Sequence, residues 1–211
     1  ACPWAASSAA ATKPSPPLLP GPAITSTEAV VPNLALTASA TARPAFSINA
    51  MPAMEGRKPG PVGVALGNKS SWAGLILDGI HVHPLSARAA FAAKTARKLM
   101  LVSDAMATVG SKDNSMSLFG EKIAVRGGAL RTAEGALAGA HLDMSSAVRN
   151  AVAMLGATDS EALEMASLTP AEFLGVERER GRIAAGCRAD FVLLGPGLDV
   201  LETWIAGELA Y

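Results

Sequence analysis

The stretch WAGLILDGIHVHPLSARAAFAAKTARKLMLVSDA, residues 72–105, decides the fold class. WAGLILDG is a compact apolar run that stops at Asp78 and Gly79, the pattern of a strand buried on both faces. PLSARAAFAAKTARK then spaces Leu, Ala and Phe at helical intervals, and LMLVSDA is a second buried run that gives way to loop at Asp104. Strand, helix, strand with polar residues at the strand ends is the βαβ unit of a parallel sheet or barrel. Sites in such folds gather beyond the carboxyl ends of the strands. Asp78, His81 and Asp104 all fall there.

Toward the C-terminus, SLFGEKIAVRGGALRTAEGALAG alternates in polarity and is punctuated by Gly, which predicts a β-hairpin excursion rather than another helix. LDMSSAVRNAVAMLG predicts an amphipathic helix closed by Gly156. Thr158 with Glu161, and Thr169 with Glu172 around Pro170, read as two capping boxes, each opening a short helix. The tail from Gly181 is strand-rich and Gly-turned, as a small β annex would be.

Toward the N-terminus the texture changes near residue 48. Residues 1–48 hold only three charged side chains, Lys13, Glu28 and Arg43, but eight of the 14 prolines. Frequent Pro blocks helix and ladder while small side chains bury little area, so this part reads as linker-like or disordered. The chain divides on this reading into residues 1–48, an α/β part at 49–180 and a β annex at 181–211. It opens on Ala1 rather than Met, as a fragment or processed product does. The opening residues contain neither a basic leader nor an unbroken apolar run, so no signal peptide or membrane span is expected.

Composition narrows the chemistry. Lys plus Arg and Asp plus Glu both number 18, for a formal net charge of +0, so a nucleic-acid footprint is not expected and an anionic ligand needs a local site. Cys2 and Cys187 stand far apart, which argues against a disulfide scaffold or a cysteine zinc site and fits a reducing, cytoplasmic setting.

Four groups of residues carry candidate chemistry. In NAMPAMEGRKPG, Arg57 can present its planar fork to phosphate or carboxylate, with Asn49 as donor and acceptor; a solvated Arg on a turn is the plainer reading. DGIHVHP puts His81 and His83 on one face of an extended segment, two imidazoles but no third ligand near in sequence. His81 is read as a substrate-contacting donor and His83 as either a helix-flanking residue or one that supports the contacting residues from behind. Asp104, at a strand end, can shuttle a proton between a water nucleophile and a leaving group, or merely cap the next turn. GALAGAHLDM supplies small residues past which backbone can approach a ligand.

INAMPAMEGRKPGPVGVAL, GLILDGIHVHP, LVSDA, GALAGAHLDMSSAVRN and LTPAEFLGVERERGRIAAGCRADFVLL stand in an order and spacing that resembles the N-acetylglucosamine-6-phosphate deacetylases of the amidohydrolase superfamily, C-terminal half only, over residues 49–211. The resemblance implies an α/β fold: part of a metal-dependent (β/α)8 barrel with a small C-terminal β-sandwich annex. It implies hydrolysis of the N-acetyl group of N-acetylglucosamine 6-phosphate to glucosamine 6-phosphate and acetate. Asn49, Ala50, Arg57 and the turn of Asp78, Gly79, Ile80 and His81 would contact the phosphosugar, with His81 also orienting the acetamide. Leu137, Ala138 and Gly139 would line the sugar site, and Asp104 would be the catalytic acid and base. A divalent metal, zinc, belongs to the same implication. Two of its histidine positions, however, fall on Phe46 and, where the segment aligns, Ser26, neither a replacement for imidazole, and the family's glutamate ligand comes from an N-terminal half not matched here.

The abrupt change of texture before NAM leads to the expectation that residues 1–48 arise from a reading-frame error or a fusion. The alternative to an active deacetylase is an inactive fragment that at most binds an aminosugar phosphate, and a third reading is an interaction protein that reuses the barrel half. Part of a barrel leaves strand edges unpaired, so a homo-oligomer or aggregate is expected.

Overall fold

A computed structural model describes residues 45–211. Its centre is a parallel sheet of strands β1 (Ala45–Ser47), β2 (Trp72–Leu75) and β3 (Leu99–Leu101), in that spatial order. Ala45 lies opposite Trp72 and Ser47 opposite Gly74, while Ala73 faces Leu99 and Leu75 faces Leu101. β1 sits just before the boundary read near residue 48. Helix α1 (Gly60–Gly67) joins β1 to β2, and α2 (Pro84–Lys94) makes the expected crossover from β2 to β3.

Burial explains the run WAGLIL: every residue from Ser71 to Leu77 is buried, since both faces of β2 are covered. Leu75, Leu77, Leu99 and Leu101 form the core with Ala87 and Ala90 of α2. Helix α3 (Met144–Asn150) runs into a π-helical turn, Ala151–Leu155, and ends at Gly156 in the left-handed conformation, as the sequence predicts. Helices α4 (Asp159–Ala166) and α5 (Leu168–Leu174) follow. Ala147, Ala151, Ala162 and Met165 seat these helices on the strands, the small side chains permitting close approach.

The two capping boxes fare differently. At Thr158 the box is complete: its Oγ1 accepts from Glu161 N and the Glu161 carboxylate accepts from Thr158 N. Thr169 instead lies inside α5, buried, and its hydroxyl donates to Ala96 O at 2.7 Å. A buried hydroxyl requires a partner, and this one finds it across the core rather than in its own first turn.

The excursion after β3 is an antiparallel meander of β4 (Ser115–Leu118), β5 (Glu121–Arg126), β6 (Ala129–Arg131) and β7 (Leu137–Ala140). Gly127 and Gly128 both have positive φ, the requirement of a two-residue type I′ hairpin. The C-terminal annex is one antiparallel sheet, β8 (Phe191–Leu194), β9 (Val200–Ile205) and β10 (Glu208–Leu209). The described residues thus form an α/β core with mixed sheets; the parallel sheet contains three strands, and the annex forms one layer rather than two. No helix among the described residues is long and apolar enough to cross a membrane.

Candidate active site

Because β1, β2 and β3 are parallel, the segments carrying Asn49, Asp78 and Asp104 leave the same edge of the sheet. Asp78 is the most heavily tied of the three. Its Oδ1 accepts from the backbone N–H groups of Ile80 (2.9 Å) and His81 (2.8 Å), and its Oδ2 lies 2.6 Å from His81 Nδ1. Both side chains are nearly dry, with 6% and 7% of their surface exposed. Burial alone would raise the Asp78 pKa, but the hydrogen bonds from His81 and Ile80 and the charge of His81 outweigh it and hold the carboxyl below its ordinary value. With Nδ1 directed to Asp78, Nε2 is the ring atom left for a ligand; it donates when the ring is protonated and accepts when it is neutral.

The same turn is braced from outside. Asn150 Nδ2 donates to Leu77 O at 2.7 Å. A Cβ on Gly79 would lie 3.4 Å from Met154 Cε, and one on Gly128 would lie 3.3 Å from Ile80 Cδ1, so the meander's Gly-Gly turn rests against the Asp78–His81 loop. His83 caps α2, its Nδ1 accepting from Leu85 N at 3.2 Å.

Asp104 is exposed and has φ +49°, in the left-handed region. Its carbonyl accepts from Ala140 N at 3.1 Å, Met106 N donates to Ala140 O at 3.4 Å, and Ala105 forms a parallel bridge with Ala140. The loop therefore lies along the end of β7. A Cβ on Gly139 would sit 2.6 Å from Met106 Cγ, so only glycine admits this contact. The structure thus brings the Asp104 loop against Gly139 and Ala140 at the end of β7, the strand that also carries Leu137 and Ala138, and gathers Asp78, Gly79, Ile80 and His81 into one turn.

The first candidate cluster is looser. Asn49 is half-buried on the 3₁₀ turn Ile48–Ala50 and its Oδ1 accepts from Ser47 Oγ at 2.6 Å. Ala50 and Arg57 are exposed, Arg57 in loop 51–59.

Phe46 stands in the middle of β1 opposite Ala73 and offers no donor atom to a metal. Ser26 lies outside the described residues. Among the described residues no three His, Cys, Asp or Glu side chains gather as a ligand set, so the described residues do not by themselves fit a metal.

Sequence reasoning missed three polar residues that support this edge. His141 follows β7 and its Nδ1 lies 3.1 Å from the hydroxyl of buried Thr108, while Asn150 braces Leu77. The only signal for His141 was its place one residue beyond the GALAGA run; the partners of Thr108 and Asn150 are far off in sequence.

The geometry agrees with comparisons to known proteins. The model of the amidohydrolase family matches residues 75–210. The chain is 47% identical to N-acetylgalactosamine-6-phosphate deacetylase of Shewanella sp. strain ANA-3 over 77% of its own length and 41% of that protein. It is 43% identical to a putative N-acetylgalactosamine-6-phosphate deacetylase of Escherichia coli K12, again over 77% of the chain but 96% of that shorter relative. Among solved structures, N-acetylglucosamine-6-phosphate deacetylase of Pasteurella multocida superposes with a TM-score of 0.73 at 34% identity, covering 78% of this chain and 43% of that one. The Mycobacterium smegmatis enzyme in complex with N-acetyl-D-glucosamine 6-phosphate gives a TM-score of 0.71 at 32% identity, over 79% of this chain and 45% of that one. The chain spans about two-fifths of the length of most of these relatives. A family model matched over most of the chain and a superposable core lead to one assignment: the chain belongs to the amidohydrolase family.

Proposed function

We propose that this chain forms part of a deacetylase that hydrolyses the N-acetyl group of an N-acetylhexosamine 6-phosphate. The products are the free amino-sugar phosphate and acetate. N-acetylglucosamine 6-phosphate is the substrate that the sequence resemblance implies; its C4 epimer, N-acetylgalactosamine 6-phosphate, is the substrate named for the relatives of higher identity described above. The observation that carries the reading is the dry Asp78–His81 pair at the carboxyl end of β2, on the same sheet edge as Asp104.

In this reading Arg57 offers its guanidinium to the phosphate, with Asn49 and Ala50 alongside it. Leu137, Ala138 and Gly139 line the sugar, and His81, oriented by Asp78, contacts the phosphosugar through Nε2. Water adds to the acetamide carbonyl carbon while the Asp104 carboxylate takes its proton. The C–N bond then breaks, its electron pair leaves on nitrogen, and Asp104 returns the proton to that nitrogen. The family's reaction uses a divalent metal, zinc in this reading, whose ligands would come from outside the described residues. The fold is read correspondingly as part of a (β/α)8 barrel, with β8–β10 as one layer of a sandwich annex and divisions near residues 48 and 180.

Acetate release and bound metal, measured on this chain and on one with a family-like N-terminal half restored, test the proposal. The restored chain is expected to bind metal and to deacetylate at least one of the two epimers. A restored, metal-loaded chain that releases acetate from neither would overturn it.

A further inference from the structure

We propose that His141 is a further sugar-contacting residue of this site, its Nε2 hydrogen-bonded to a ring hydroxyl of the amino-sugar phosphate and its ring set by Thr108. The inference rests on the amino-sugar phosphate reading above.

Three observations lead to it. The pairing of β7 with β6 is irregular between Leu137 and Ala140, and just beyond it Ala140 and Leu142 are buried in the core while His141 between them is half-buried, so the His141 side chain is turned away from the core. His141 therefore follows directly on the run Leu137–Gly139 that is read as lining the sugar, with its ring directed away from the core. Next, the loop carrying Asp104 is fastened to this strand at two places, by backbone bonds to Ala140 and by the 3.1 Å contact between Thr108 Oγ1 and His141 Nδ1. Finally, Thr108 is 2% exposed but His141 is half-buried, and its Nε2 takes no hydrogen bond from the described residues.

The chemistry suits a sugar hydroxyl. If Nδ1 carries the proton, Thr108 accepts it and Nε2 accepts from the sugar O–H; if Nδ1 is bare, Thr108 donates and Nε2–H donates to the sugar oxygen. Both hydroxyls can play either part, so the neutral ring is satisfied at both nitrogens in either tautomer. The plainer role for His141 is to satisfy buried Thr108 and nothing else, and the two roles separate experimentally.

The test is a titration of the full chain with N-acetylgalactosamine 6-phosphate, N-acetylglucosamine 6-phosphate and inorganic phosphate, for wild type, His141→Ala, Thr108→Val and Thr108→Ser. His141→Ala is expected to weaken sugar-phosphate binding by about tenfold, the loss of one well-placed hydrogen bond, and to leave inorganic phosphate binding unchanged. Thr108→Val should weaken it less, and Thr108→Ser should restore it. Should His141→Ala fail to fold, the wild-type His141 ring resonances provide the readout: they are expected to shift with either sugar phosphate and not with inorganic phosphate. Lower thermal stability with unchanged sugar affinity in His141→Ala, or ring resonances unmoved by a bound sugar, would overturn the inference alone. A wild-type chain that binds neither sugar phosphate would overturn the amino-sugar reading along with it.

Discussion

Asp78 holds a turn together with every acceptor it has. Replacing it by Ala removes the partner of a nearly dry imidazole and strands two backbone N–H groups, a loss of about 3 kcal/mol that denaturant unfolding would register. The pH dependence follows from the direction of its shift. A carboxyl held below its ordinary value of 3.8 contributes stability that is fully present above that value and is lost as pH falls through the lower, folded value. The stability gap between wild type and Asp78→Asn is therefore expected to shrink on acidification below 3.8, as paired unfolding curves would measure. Asp78 and His81 were legible in the sequence because an apolar run ended beside them. His141 and Asn150 were not, since a histidine or asparagine on an amphipathic stretch is ordinary until its distant partner is known.

Among the elements, helix starts and strand starts are fastened by different means. The complete capping box of α4 predicts that Thr158→Ala lowers stability by about 1 kcal/mol, visible as a reduced melting temperature. The amino end of β2 is instead secured by a buried cation: Lys94 Nζ donates to Asn68 O and Ser71 O at 2.6 Å and to Ser71 Oγ at 2.9 Å. Lys94→Met leaves these acceptors without their donor and is expected to lose about 2 kcal/mol. Because this knot lies at the end of the strand away from Asp78 and Asp104, sugar-phosphate affinity measured on the folded variant should be unchanged. The sequence placed Thr158 correctly and Thr169 wrongly for one reason: a local pattern identifies a local bond, whereas the Thr169 hydroxyl bonds to Ala96 across the core.

At the scale of the molecule, β1 and β3 are the outer strands of the parallel sheet among the described residues, and the annex exposes Val192, Leu193, Leu201, Ile205 and Leu209. Open strand edges and exposed apolar surface each favour pairing with another chain. The isolated chain is expected to self-associate, and size-exclusion chromatography with light scattering would show it; a monodisperse monomer would contradict the expectation. The βαβ unit, the meander and the annex were legible because period and punctuation are written locally. Strand β1 was not, since three residues of AFS carry no periodicity and owe their state to pairing with β2. The family resemblance proposes what period could not, roles for residues separated by whole elements.

The left-handed backbone at Asp104 also bears on the choice of a control protein. Asn and Asp accept that conformation far more readily than alanine or a branched residue does. Asp104→Asn removes the carboxylate to which the proposed reaction assigns the proton transfer while keeping the main chain comfortable, whereas Asp104→Ala alters side chain and backbone preference together. An inactive protein intended for trapping bound substrate should therefore carry asparagine at this position.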